Sequence, residues 1–274
     1  MSPSIAPEHM NHINAMVEDF DGAIGHYRDV LGAQFLMDMP GPDWHGCLMT
    51  LGGVIFQFWV PHQLLLHSRY GAHYVGVEFV VPDVEEARVA VRARGMRIVR
   101  ELGPAFHTYA GDSFGVSLEC YDQSFHAVPA PVPYEEPIRP LEYWRDEQPL
   151  GTTGLKRCTV AVRDLDAALG YFAGFLNGSK VYEAARPAVS AEAVGLQIGD
   201  IVVELITPTG AGVIQQHLDR YGDGIRSTVF AVRDLGQTEA YLTGRGVPLQ
   251  PGDAPGSLAI AAADNHGLIF EFSE

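Results

Sequence analysis

Apolar and polar residues alternate along Ile13-Asn14-Ala15-Met16-Val17. Ile13, Ala15 and Val17 are expected on one side of a strand, and His12, Asn14 and Met16 on the other. Asp19 then stands at a helix N-cap, where a carboxylate accepts the unpaired amide hydrogens of a first turn. Phe20, Ile24, Tyr27 and Leu31 recur on one helical stripe, and Gly32 closes the segment. The same strand–Asp–helix–Gly pattern runs from Gly76 through Asp83 to Gly95, from Arg157 through Asp164 to Gly178, and from Ser227 through Asp234 to Gly246. In the third copy Leu165, Leu169 and Phe172 repeat the stripe. Gly32, Gly95, Gly178 and Gly246 are each expected to take the left-handed conformation that ends a helix. More strands follow each helix. A repeat at this period means duplicated units, so equivalent positions can be compared within one chain.

Between the second and third copies, Val128–Gly151 carries Pro129, Pro131, Pro133, Pro137, Pro140 and Pro149. Proline at that density removes backbone donors and disfavours helix and central strand, which predicts a linker. The chain divides into a domain over 1–127, a linker over 128–150 and a domain over 151–274. Each domain holds two repeats, because one repeat cannot bury its own sheet.

Composition narrows the function. The net charge of −16 argues against binding nucleic acid, whose phosphates call for Lys and Arg. No run of about 18 apolar residues occurs, so no membrane-spanning helix is expected. Met1–Pro7 lacks a charged-then-apolar leader. Cys47, Cys120 and Cys158 form no CxxC pair, and reduced thiols in a cytoplasmic protein are expected.

The segments HINAMVEDFDGAIGHYRDVLG (His12 to Gly32), VIFQFWVP around Gln57 and DSFGVSLE (Asp112–Glu119) resemble the vicinal oxygen chelate superfamily, also called the glyoxalase/bleomycin-resistance/dioxygenase fold. Asp164–Gly178, VVELITP around Glu204 and DNHGLIFE (Asp264–Glu271) extend the resemblance to the second half. It implies an α+β fold: four βαβββ modules paired into two curved, open-sheet domains, each able to surround a divalent metal ion. Whether modules pair first with second, or first with last, stays open. The ligand places of the family fall on His12, Gln57, Gly76 and Glu119 in the first half. In the second half they fall on Arg157, Glu204, Ser227 and Glu271. The resemblance thus implies a metal site of His12, Gln57 and Glu119 for Zn, Fe, Mn or Co, with a gap at Gly76. The second site reads as degenerate, with Arg157 beside Glu204 and Glu271 in a buried ion-pair network.

Strand parity supplies further candidates. Tyr74, Gly76, Glu78 and Val80 should share one face, which points Glu78 into the cup as a general base or a replacement ligand. His45 and His107 flank the cup as acid/base or substrate-contact candidates, whereas His73 needs a bulge to face it. Asn14, Met16, Ile55, Trp59, Tyr74 and Tyr121 are expected to line a substrate surface for a small, fairly apolar molecule. A metal bound to neighbouring substrate oxygens would support isomerisation, epimerisation or elimination. Two alternatives remain: an Fe(II)-dependent ring-cleaving dioxygenase, which would need a second His, and a metal-free binding or drug-resistance protein. A second copy of the chain is a candidate partner.

Overall fold

The computed structural model describes residues 3–42, 44–61, 71–127 and 133–274. The first half runs β1 (His9–Met16), α1 (Phe20–Gly25), β2 (Gln34–Pro40), β3 (Trp44–Leu51), β4 (Val54–Pro61), β5 (His73–Val80), α2 (Val84–Ala93), β6 (Ile98–Leu102), β7 (Ala105–Thr108) and β8 (Ser117–Tyr121). A short α3 (Leu141–Asp146) precedes the second half. That half runs β9 (Thr152–Ala161), α4 (Leu165–Phe172), β10 (Ser179–Arg186), β11 (Ala191–Ile198), β12 (Ile201–Pro208), α5 (Val213–Tyr221), β13 (Gly224–Val232), α6 (Leu235–Gly244), β14 (Gln250–Pro251), β15 (Leu258–Ile260) and β16 (Ile269–Ser273).

Each half forms one eight-stranded sheet, in the orders β2-β3-β4-β1-β5-β8-β7-β6 and β10-β11-β12-β9-β13-β16-β15-β14. The first module therefore pairs with the second and the third with the fourth, and this decides the pairing. The four Asp residues cap as expected: Asp19 accepts from Gly22 N, Asp83 from Glu85 N and Glu86 N, Asp164 from Ala167 N and Asp234 from Gln237 N. Gly32, Gly95 and Gly246 have φ of 74°, 78° and 75°. The third copy differs, because Asn177 (φ 55°) takes the left-handed place ahead of Gly178. Asn tolerates that conformation through its short polar side chain.

Ile13, Ala15, Val17, Ile24, Tyr27 and Leu31 are all buried in one apolar core that continues into the second half. Phe270 packs against Phe56 (centroids 5.4 Å) and Tyr27 (5.7 Å), so the core-facing sides of the two sheets share their interior. The cups lie on the opposite faces.

Two bulges in the β1–β5 pairing decide which side chains reach the first cup. The register passes from Asn14↔Gly76 to Ala15↔Tyr74, which leaves Val75 as the extra residue. Tyr74 is thereby turned into the core, where its hydroxyl donates to Ile269 O at 2.8 Å. The expectation that Tyr74 lines the substrate surface is corrected by this bulge. Gly76 is not a gap either: a Cβ there would lie 1.8 Å from the Ser117 carbonyl oxygen on β8. No side-chain ligand fits at that place while the strands pair as they do. Gly76→Ala is expected to cost about 3 kcal/mol, the upper end for overpacking, because backbone has to move. Chemical denaturation measures it, and a shift within about 0.5 kcal/mol would refute the clash.

The second bulge passes from Met10↔Phe79 to His12↔Glu78 and turns both Asn11 and His12 toward the cup. The proline-rich segment is also more than a spacer. Residues 128–132 lie outside the described residues, but the remainder packs down and forms α3 just after Pro140. Helix is compatible with proline there, since the missing N–H would be unpaired at a first turn. Trp144 is fully buried, and Gln34 holds the segment by donating to Pro137 O and accepting from Arg139 N. Tyr134 and Ile138 of this segment, with Phe125, cover Leu36, Leu48 and Ile55. Ile55 is therefore sealed beneath the linker (0% exposed) and does not line an open surface.

Candidate metal centre and substrate cup

Strand register places one lateral row of polar side chains on the cup face of the first sheet. His12 on β1 pairs with Glu78 on β5, Glu78 with Glu119 on β8, Glu119 with His107 on β7, and His107 with Arg100 on β6. Side chains at paired positions point the same way, so a row across five strands follows from register alone.

His12 Nε2 faces three oxygens: Asn14 Oδ1 at 3.2 Å, Glu119 Oε2 at 3.5 Å and Glu78 Oε2 at 3.8 Å. One donor atom each from His12, Glu78 and Glu119 falls within 4.8 Å of the others, and all three residues are buried. The two carboxylates have unlike surroundings. Glu119 accepts from Asn14 Nδ2 at 2.9 Å and lies 2.9 Å from His107 Nε2. Glu78 accepts from Asn11 Nδ2 at 2.6 Å. Burial, then the neighbouring Glu119, pushes the Glu78 carboxyl well above the usual carboxylate range. Burial acts the same way on Glu119, but His107 and then His12 outweigh it and hold that carboxyl well below the range.

The remaining candidates separate into those on the cup and those off it. Gln57 lines a cavity of about 190 Å³ together with His12, Glu78, Glu119, Tyr121 and Arg100. Met16 and Trp59 pack with Val75 on the same face. Asn14 is a brace, receiving Trp59 Nε1 at 3.3 Å while it donates to Glu119. His107 stands edge-on to Trp59 behind Glu119. His45 is off the cup: it pairs with Asp38 at 2.7 Å and stacks on Phe20 at 4.1 Å, on the helix side of the sheet. Strand parity explains this, since Gly46 and Leu48 face Trp59 and Gln57 across β3–β4 and His45 alternates with them. The bulge at Val75 puts His73 opposite Met16, with its Nδ1 2.6 Å from Gly71 O, outside the His12 group.

Sequence reasoning missed Asn11, Phe125 and Arg100. Asn11 ties Glu78 to the loop after β8, accepting from Phe125 N at 2.8 Å and donating to Gln123 O at 2.9 Å. Phe125 then stacks on His12 (5.3 Å, 17°). Nothing local to Met10-Asn11-His12 announces the bulge that makes this possible.

The second domain's corresponding place is filled by its own side chains. Glu204 is fully buried, with Arg157 Nε at 3.1 Å, Tyr182 hydroxyl at 2.9 Å, Thr159 hydroxyl at 3.3 Å and Arg186 alongside. The expected Arg157–Glu204 pair is present. Glu271 departs from the expectation: it accepts from Ser227 Oγ at 2.6 Å and Asp253 N at 3.0 Å instead of pairing with Arg157.

The donor set of the first domain fits a divalent cation. Among the described residues neither Glu78 nor Glu119 has a Lys or Arg within ion-pair distance, and only imidazoles stand beside them. A lone-pair nitrogen facing carboxylate oxygens in a buried place is costly unless a proton or a metal lies between them. Imidazole with carboxylate is ordinary ligand chemistry for Zn, Fe, Mn or Co. All three cysteines are free and buried, and no described helix is long and apolar enough to cross a membrane.

In the first domain, paired βαβββ modules surround a buried His–carboxylate group of a kind that could hold a metal ion. Residues 9–124 match the sequence model of the Glyoxalase/Bleomycin resistance protein/Dioxygenase superfamily. The first domain thus matches that superfamily, also called the vicinal oxygen chelate group, and the second half repeats the same sheet order. A variant of 4-hydroxymandelate synthase from Streptomyces coelicolor shares the fold over 97% of this chain and 92% of its own, with TM-score 0.71 and 16% identity. Methylmalonyl-CoA epimerase from Mycobacterium tuberculosis is 25% identical over 44% of this chain and 87% of its own, with TM-score 0.42. A hypothetical protein from Bacillus halodurans is 21% identical over 43% and 91%, with TM-score 0.40. No curated protein matches the chain.

Proposed function

We propose that the first domain is a divalent-metal-dependent isomerase, epimerase or lyase acting on a small, fairly apolar oxygenated molecule. The observation that carries this reading is the convergence of His12, Glu78 and Glu119 in the wall of one cavity. His12 and Glu119 hold the ion, with Gln57 facing the same space. A bound Zn, Mn, Fe or Co ion supplies Lewis acidity, which lowers the pKa of a C–H or O–H beside a substrate oxygen. Glu78 carries the proton. Asn11 fixes the Glu78 carboxyl at the cavity, while His107 and Asn14 orient the Glu119 carboxylate, each oxygen keeping a second lone pair for a metal. Trp44 and Tyr121 bound the apolar part of the substrate, and Phe125 over His12 limits water.

Metal content after reconstitution is the test. The wild type is expected to hold one ion per chain, and His12→Ala to lose it, with apparent affinity down by about 100-fold or more. Equal metal in both proteins would refute the ligand assignment. A wild type that takes up none of the four metals would leave a metal-free binding protein as the better account. Oxygen consumed in step with turnover would favour the Fe(II) ring-cleaving alternative, although among the described residues only His12 joins both carboxylates in one ligand group and His107 contacts Glu119 alone.

A further inference from the structure

Arg100 is the one Lys or Arg among the described residues lining the cup, and nothing in the reading above uses it. It sits at the end of the row that begins with His12, two strand spacings, or about 10 Å, beyond Glu119. Its guanidinium lies over two indoles from the opposite wall, 5.3 Å from the Trp44 ring and 5.1 Å from the Trp59 ring. Ring faces hold a guanidinium in place without consuming its N–H donors, so the fork stays available. Among the described residues Arg100 makes no ion pair or hydrogen bond. Arg88 and Arg92 reach Glu101, and Arg97 reaches Asp112, whereas no described carboxylate stands within ion-pair distance of Arg100. A half-buried, stacked and unpaired guanidinium facing a cavity is what a carboxylate ligand would complete.

We propose that Arg100 is the anion-recognising residue of the cup and that its substrate is a small organic acid whose carboxylate pairs with the guanidinium. This rests on the reading of the cup as a substrate site. The geometry orients the molecule. Glu78 and Glu119 repel an anion from the floor, so the carboxylate goes to Arg100 and the reacting oxygen-bearing carbon to the His12 end. Trp44 lines the path between, backed by Trp59, and suits an apolar body. The cavity sets the size: a 150 Å³ apolar cavity takes benzene, so about 190 Å³ takes one ring or a short branched chain beside the acid.

Titration calorimetry with benzoate and benzamide, of one shape and different charge, tests this on the full chain. Wild type is expected to prefer benzoate by about 10-fold or more, the range of one charge-assisted pair. Arg100→Gln should bring the ratio near one while benzamide binding persists. Arg100→Lys keeps the charge but loses the fork and should retain only part of the preference. An undiminished preference in either variant, or none in the wild type, overturns the proposal; if Arg100→Gln does not fold, Arg100→Lys decides. His12→Ala should lose metal and keep the benzoate preference. A wild type that binds no metal yet shows the Arg100-dependent preference sinks the metal reading and leaves this one standing.

Discussion

Glu78→Gln is expected to lower turnover by about 10²- to 10⁴-fold, the contribution of a positioned general base, while metal content stays at the wild-type level. The substitution keeps shape and one hydrogen-bond acceptor for Asn11 and removes only the ability to accept a proton. The expectation follows from the contrast between the two carboxylates. Glu119 accepts from Asn14 and stands beside the imidazoles of His107 and His12, which favour its charged form and suit it to a cation. Glu78 has one amide donor, is buried and stands beside the Glu119 carboxylate, which suits a group that alternates between charged and neutral. Metal analysis beside turnover separates the outcomes. If metal falls together with rate, Glu78 is a third ligand; if rate is unchanged, the proton moves elsewhere.

Glu204→Gln is expected to destabilise the protein by about 3–5 kcal/mol, the cost of leaving buried charge without its partner. Glu204 has no exposed surface and stands between Arg157 and Arg186, themselves 5% and 8% exposed. Gln is nearly isosteric, so no cavity confuses the result. What changes is that two buried guanidinium groups lose the one carboxylate that both contact. Denaturant unfolding with metal absent measures the change, because this domain is read as holding no catalytic ion. Stability within about 1 kcal/mol of wild type would show that the network is solvated and weak. A metal ion found on Glu204 and Glu271 would overturn the reading of the second domain as a filled site.

Much of the architecture was legible in local pattern. A strand of period two, an Asp and an apolar helical stripe repeat four times because each module must cap its own helix and cover its own sheet. Those requirements act over a few residues. The comparison of equivalent positions then separated His12 and Glu119 from Arg157 and Ser227, and it anticipated the ion pair at Glu204. Parity also put Glu78 on the cup face, because one alternation carries it there.

Apart from His45, which the alternation of its own strand turns to the helix side, the errors involve one inserted residue or a distant partner. Val75 is an extra residue in β5 relative to β1, so Tyr74 turned into the core and Gly76 met the Ser117 backbone; residue counting along a single strand cannot register an insertion in a pairing. Asn11 reached Glu78 for the same reason. The linker's prolines marked a boundary, but only the assembled sheet offered Leu36 and Ile55 for Tyr134 and Ile138 to cover. Arg100 is the clearest case. Its own strand says nothing about it, and its surroundings are made by Trp44 and Trp59, more than 40 residues away in sequence. Along an unbulged strand, which face a side chain takes is set by the dihedrals of its own segment, so the amino-acid order by itself determines it there. What that face meets depends on how strands distant in the chain are registered and curved, and only the tertiary structure decides that.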